Sequence, residues 1–114
     1  MKIVLSEPAK QDIAAILERS LREFGEAAAL RYKALIRQGL RDIQADPERI
    51  GSSDRPDLAP GVRTWHLRLS CNRVTGNRVK NPRHRLIYRR RERGIEVIRI
   101  LHDGQDLKRH LPES

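Results

Sequence analysis

The chain has 114 residues, with 24 Lys/Arg against 15 Asp/Glu, a formal net charge of +9 and an isoelectric point near 10.8. That length suits one domain, and with only 4% aromatic residues its core must be built mainly from Leu, Ile, Val and Ala. A single cysteine, Cys71, excludes an internal disulfide and fits a reducing cytosol. No apolar run reaches the ~20 residues of a membrane span, and Met1–Leu5 is too short for a signal peptide, so a cytoplasmic location is expected.

Lys2-Ile3-Val4-Leu5 predicts a short strand, stopped by Ser6 and Pro8. Ser6 is a suitable helix N-cap, Glu7 favours the positive helix end, and Pro8 is tolerated where first-turn N–H groups lack partners. Ile13, Ile16, Leu17, Leu21 and Phe24 then form one apolar helical stripe, and Gly25 is a natural C′ residue or hinge. A second helical run passes through Ala28, Tyr32, Leu35, Ile36, Leu40 and Ile43. It should stop near Ala45, because Pro47 disfavours the helical conformation at Asp46. The two helices read as an αα-hairpin with solvated outer faces.

Pro47 to Gly61 is rich in Pro, Gly and Ser and predicts a long loop, either packed on the domain or free. Val62 to Leu69 alternates, placing Trp65, Leu67 and Leu69 on one face and Thr64, His66 and Arg68 on the other. This predicts a half-buried antiparallel strand with an open polar face. Ser70 to Pro82 is a long basic hairpin connection, Arg83 to Arg90 a strand, and Arg91 to Gly94 a turn. Ile95 to Leu101 is apolar on both faces except at Glu96 and Arg99, which predicts a central strand. Asp103 to Leu111 has room for two helical turns before Pro112. The expected fold is therefore α+β, in the order β-α-α-β-β-β. An antiparallel meander sheet carries the αα-hairpin on one face, and a short C-terminal helix follows. The whole of 1–114 is expected to form one domain.

The charge is unevenly spread. Val62 to Arg93 contains eleven Lys/Arg and one acid, Glu92, whereas residues 1–60 carry ten of each sign. A basic, strand-forming segment on a neutral support points to an anionic partner: nucleic acid, an acidic protein or a membrane surface. The sequence carries no cofactor signature, and its four histidines share no ligand spacing with Cys71, so no metal is expected. Cys71 lies among Arg and Asn residues, which could lower its pKa, although an incidental thiol suffices. His102-Asp103 admits two readings. Asp103 could orient His102 as an acid or base, or Asp103 could cap the final turn while His102 packs at the sheet edge. The arginines suit phosphate binding, charge stabilisation or recognition of an acidic protein.

Three stretches together carry a family resemblance: Val62-Arg63-Thr64-Trp65-His66-Leu67-Arg68-Leu69, Pro82-Arg83-His84-Arg85-Leu86-Ile87-Tyr88-Arg89, and Ile98-Arg99-Ile100-Leu101-His102-Asp103-Gly104-Gln105-Asp106-Leu107 followed by Arg109-His110-Leu111-Pro112. With the element order, they make the chain resemble the RelE/ParE superfamily of type II toxins, and the ParE branch most closely. The resemblance implies a toxin that inhibits DNA gyrase without being an enzyme, silenced by a cognate ribbon-helix-helix, ParD-like antitoxin whose C-terminal segment is often acidic. Under it, Arg63, Arg68, Arg83, Arg85, Arg89 and Arg99 form a basic sheet surface for target or antitoxin, with His102, Asp106 and Arg109 at its edge. The alternative within the superfamily is a RelE-like ribosome-dependent mRNA endonuclease, using His102, His84, Arg68 and Arg85. A third reading is a basic nucleic-acid-binding accessory module. Two departures bear on the choice. The Cys71–Asn81 connection is long for the family, and the C-terminus lacks the close His/Tyr pair of the ribosome-dependent nucleases, because Asp103 follows His102.

Overall fold

Local chemistry sets the first half of the chain in the computed structural model, which describes residues 1–76 and 78–111. Strand β1 spans Lys2–Leu5, and helix α1 spans Glu7–Phe24. Ser6 caps that helix as its type predicts: its Oγ accepts from the Ala9 N–H at 3.1 Å. The same hydroxyl donates to the Ile98 carbonyl at 2.6 Å, so one side chain starts the helix and ties it to the sheet. Gly25, at φ +90°, makes the break that an L side chain would resist, and α2 runs from Glu26 to Ala45. The helix ends just before Asp46, which is extended ahead of Pro47.

The second half forms a five-stranded mixed sheet ordered β1-β5-β4-β3-β2, with β2 at Ser53–Asp54, β3 at Val62–His66, β4 at His84–Arg91 and β5 at Gly94–His102. Strands β3, β4 and β5 are the predicted antiparallel meander. β5 is central, as its two apolar faces require, because β1 pairs with it in parallel from Lys2↔Gly94 to Leu5↔Val97. That pairing needs a residue without a side chain at 94: a Cβ there would lie 2.0 Å from the Lys2 carbonyl oxygen. One irregularity falls in β5, where the partner of Ile87 is Arg99 but that of Tyr88 is Val97, leaving Ile98 as the extra residue of a bulge.

The helices cover one face of this sheet. Their core joins Leu35, Ile36 and Ile43 to Trp65, Leu86, Tyr88, Ile95, Val97 and Ile100. The α1 stripe is only partly used: Leu21 and Phe24 overhang the sheet, 51% and 72% exposed. The opposite face is not open as the alternation of Val62 to Leu69 predicts. Val62, Ile87, Ile98 and Leu101 form a second small core there, covered by Leu58 and Ala59 from the long loop and by Leu107 and Leu111 from the tail. Thr64 and His66, expected on a polar surface, are buried. Period two marks a strand with two unlike faces, but it cannot reveal a later segment folding back over the polar one.

The strand predicted to reach Leu69 stops at His66. Residues Leu67–Arg73 form a 3-10 helix instead, Leu67 is buried in the main core, and Leu69 is 39% exposed. The cause is a buried polar network. Asp42 on α2, 1% exposed, accepts from Ser70 Oγ at 2.7 Å, Arg73 Nε at 2.7 Å and Gln38 Nε2 at 3.0 Å. Ser70 in turn accepts from Trp65 Nε1 at 2.9 Å. A buried carboxylate needs such donors, and collecting them turns the chain off the sheet. Gly39 makes room for the turn, since a Cβ there would meet Leu67 Cδ2 at 2.6 Å.

The loop from Pro47 to Gly61 is pinned rather than free. The Tyr88 hydroxyl donates to the Pro47 carbonyl at 2.6 Å, and β2 pairs with β3. Arg49 lies over the Trp65 ring at 5.3 Å. The tail forms one short 3-10 helix, Leu107–His110, in place of two α-turns, with Asp106 as its N-cap. Asn77 of the long connection, and Pro112, lie outside the described residues. Among the described residues, no helix is long and apolar enough to cross a membrane.

Candidate functional site

The strand register divides the predicted site residues between the two faces of the sheet. Residues directly opposite one another share a face. Pairings His66↔Arg85, Val62↔Arg89 and Ile87↔Arg99 place Arg85, Arg89 and Arg99 on the face away from the helices. Arg63 stands opposite Tyr88 on the helix side, where its Nε donates to Ser52 Oγ at 2.8 Å and its Nη2 to the Ser52 carbonyl at 3.2 Å. Arg63 thus braces the long loop. Asp106 caps the terminal 3-10 helix by accepting from the Lys108 N–H, and Arg109 is exposed on that helix.

Acids from the flanking segments neutralise much of the basic segment. Arg99 makes a two-pronged contact with Asp12 of α1, at 2.7 and 2.8 Å, and also donates to the His110 carbonyl. Asp12 further accepts from the Ile100 N–H at 3.0 Å, so this pair is an anchor for the first helix. Glu96 accepts from Arg89 at 3.0 Å and Arg91 at 2.8 Å. Asp103 draws in Arg85 at 3.5 Å and Arg83 at 3.9 Å. Among the described residues, Arg68, Arg78, Lys80, Arg90 and Arg93 have no ion-pair partner. The free charge lies mainly on the connection after the 3-10 helix and on the β4–β5 turn, away from the strand centres.

Asp103 does not orient His102. It accepts from His66 Nε2 at 2.9 and 3.2 Å. His66 Nδ1 accepts the Arg68 backbone N–H at 3.1 Å, so the imidazole proton must sit on Nε2 and point at Asp103. Burial, with help from the Arg68 and Arg85 charges, lowers the His66 pKa against the opposing pull of Asp103. Asp103 itself, although desolvated, is held below the usual carboxylate range by the His66 hydrogen bond and the nearby Arg85 charge. This is a neutral histidine locked to a carboxylate.

His102 faces the helix side. Its Nδ1 accepts from the Gly104 N–H at 3.0 Å, and its ring meets His84 edge to face at 5.2 Å. His84 Nδ1 lies 2.6 Å from the Tyr32 hydroxyl of α2. Burial pushes the Tyr32 phenol up to about 12 and His84 down to about 4, with the neighbouring His102 also disfavouring charge on His84. The result is a neutral Tyr32–His84 pair, with His102 packed against it, in a row at the end of the sheet. Sequence reasoning placed Tyr32 only in a helical stripe, because its contact with His84 spans 52 positions and has no local signature. Cys71 is not activated: burial raises its pKa, and its thiol sits near the Leu67 and Val79 carbonyls.

The four residues of the nuclease reading therefore do not converge. His84 and His102 line a cleft beside the helical hairpin, while Arg85 lies across the sheet with His66 and Asp103, and the Arg68 charge acts on His66 there.

Comparison with known proteins matches this architecture. A solved structure described as the chromosomal ParDE TA system from P. aeruginosa superposes with a TM-score of 0.66 at 20% identity, covering 90% of this chain and 95% of that one. At that identity the likeness speaks for the fold. No curated protein matches the sequence significantly. The profile described as the ParE toxin of type II toxin-antitoxin system, parDE, matches residues 3–107, nearly the whole chain. On that match, the chain belongs to the ParE toxin family.

Proposed function

We propose that the protein inhibits DNA gyrase without cutting nucleic acid, and that a ParD-like ribbon-helix-helix antitoxin with an acidic segment neutralises it. The observation that carries the non-catalytic half is the division just described. In the RelE-like reading His84 and His102 as acid–base groups and Arg68 and Arg85 as charge stabilisers must reach one reacting phosphate, and here the two histidines line the helix-side cleft while Arg85 lies across the sheet. The neutral states of His66, bonded to Asp103, and of His84, bonded to Tyr32, also suit structural roles better than proton transfer. For the antitoxin, Arg68, Arg78 and Lys80 at one end of β4 and Arg90 and Arg93 at the other, without ion-pair partners among the described residues, offer basic sites to an acidic segment that orders on binding.

Purified protein is expected to block gyrase supercoiling and to leave mRNA intact on programmed ribosomes. The Tyr32–His84 contact, with Arg31 and Arg83 lining the same cleft, favours the RelE-like reading, since it supplies in space the His/Tyr pair missing from the C-terminus. Cleaved mRNA that disappears with Tyr32→Phe, together with unaffected gyrase, would replace the first reading by the second.

A further inference from the structure

The cleft beside the Tyr32–His84–His102 row has a composition that a partner-binding surface does not require. It measures about 1060 Å³, at the upper end of the range that holds small organic ligands. Arg19, Arg31, Lys80 and Arg83 line it together with His84 and His102. The acid in the lining, Glu23, is already held by Arg19 at 3.2 Å. Both imidazoles present donors. The Gly104 N–H occupies His102 Nδ1, which puts the neutral ring's proton on Nε2. At His84, Nδ1 lies 2.6 Å from the Tyr32 hydroxyl, and with that hydroxyl donating to Nδ1 the ring proton sits on Nε2 there too.

The other wall is apolar. Ile16, Ala28 and Val79 line it, and Phe24 stands 72% exposed at its rim although it belongs to the apolar stripe of α1. An exposed phenylalanine beside a set of cationic and imidazole donors is complementary to a ligand with a flat apolar body and an anionic head. We infer that this cleft binds a phosphomonoester of nucleotide size, with the phosphate held by Arg31, Lys80 and Arg83 near the two imidazoles and the base laid against Phe24. The site shares Lys80 with the charge proposed for the antitoxin, and Arg83 and His102 with the residues expected from sequence to meet target or antitoxin, and it stands whether or not that proposal holds.

The phosphate could belong to a free nucleotide or to the end of a nucleic-acid strand, and the same titrations tell these apart. Binding of AMP to the full-length chain is measured by calorimetry, with the His84 and His102 ring resonances followed by NMR. AMP should bind and move both rings, while adenosine and inorganic phosphate should each bind at least tenfold more weakly. Arg31→Ala combined with Lys80→Ala should weaken AMP at least tenfold, and Phe24→Ala at least threefold. None of these side chains lies in the core, so folding is expected to survive; amide spectra verify it. A 5′-phosphorylated trinucleotide binding tenfold tighter than AMP identifies a strand end as the source, and equal or weaker binding identifies the free nucleotide. The inference is overturned if 1 mM AMP leaves both ring resonances unmoved, if adenosine binds as well as AMP, if inorganic phosphate alone matches AMP, or if the double variant binds AMP unchanged.

Discussion

Replacing Asp42 with alanine tests the claim that a buried carboxylate, rather than local propensity, turns the chain off the sheet after His66. Ser70 is fully buried, and its hydroxyl proton goes to Asp42 Oδ2 at 2.7 Å while its oxygen accepts from Trp65. Without the carboxylate that proton has no acceptor, at a cost of about 1–3 kcal/mol. Arg73, 51% exposed, can turn to water, as can Gln38, so their lost bonds add about 1 kcal/mol together. The void left by the carboxylate adds about 1 kcal/mol. The expected loss is therefore about 4 kcal/mol, a large part of the ~5–15 kcal/mol that holds a domain together. At about 4 °C per kcal/mol for a chain of this size, Tm should fall by roughly 15 °C. Urea unfolding followed by fluorescence suits this test, because Trp65 is the only tryptophan and reports on the same network. Arg73→Ala should cost less than about 1 kcal/mol, and Ser70→Ala should add little to Asp42→Ala. A loss below about 1 kcal/mol for Asp42→Ala, or an equal loss for Arg73→Ala, would refute the reasoning.

Gly94→Ala would drive a methyl group into the Lys2 carbonyl, so β1 should detach. Amide exchange at Val4 and Leu5 should accelerate at least tenfold, with a stability loss of about 1–3 kcal/mol. Because His84 titrates near 4 when folded and near 6.5 when unfolded, the unfolded chain binds more protons between those values. The stability linked to this group is thus complete above about pH 6.5 and is lost as pH falls toward 4, on the order of 2 kcal/mol after allowance for partial exposure. Urea midpoints at pH 4.5 and 7 should differ less in His84→Gln than in the parent. Arg99→Lys keeps the charge but breaks the fork onto Asp12, and should cost about 1–2 kcal/mol of stability while leaving antitoxin affinity unchanged in calorimetry. A drop in affinity without a drop in stability would return Arg99 to the binding surface.

Most of the architecture was legible because its determinants are local. The Ser6 cap, the Gly25 break, the stop at Pro47 and the two-faced apolar pattern of Ile95 to Leu101 each act over a few residues, and each appears where the sequence implies. The excess charge of residues 62–93 was equally plain. Its distribution was not, since Arg99 finds Asp12 across 87 positions and Arg73 finds Asp42 across 31. Such partners follow from packing, and no local spacing announces them.

The same distinction governs the segment from Val62 to His102. By itself the sequence determined a basic meander with Trp65 turned toward the helices, because period two and turn residues suffice for that. Only the tertiary structure decided that the strand ends at His66, that the tail and long loop cover its second face, and that Asp103 takes His66 while His102 joins Tyr32 and His84. Those choices depend on which buried polar groups can reach a partner once the chain is compact. Satisfying them costs less than leaving them unpaired, wherever the partner lies in sequence.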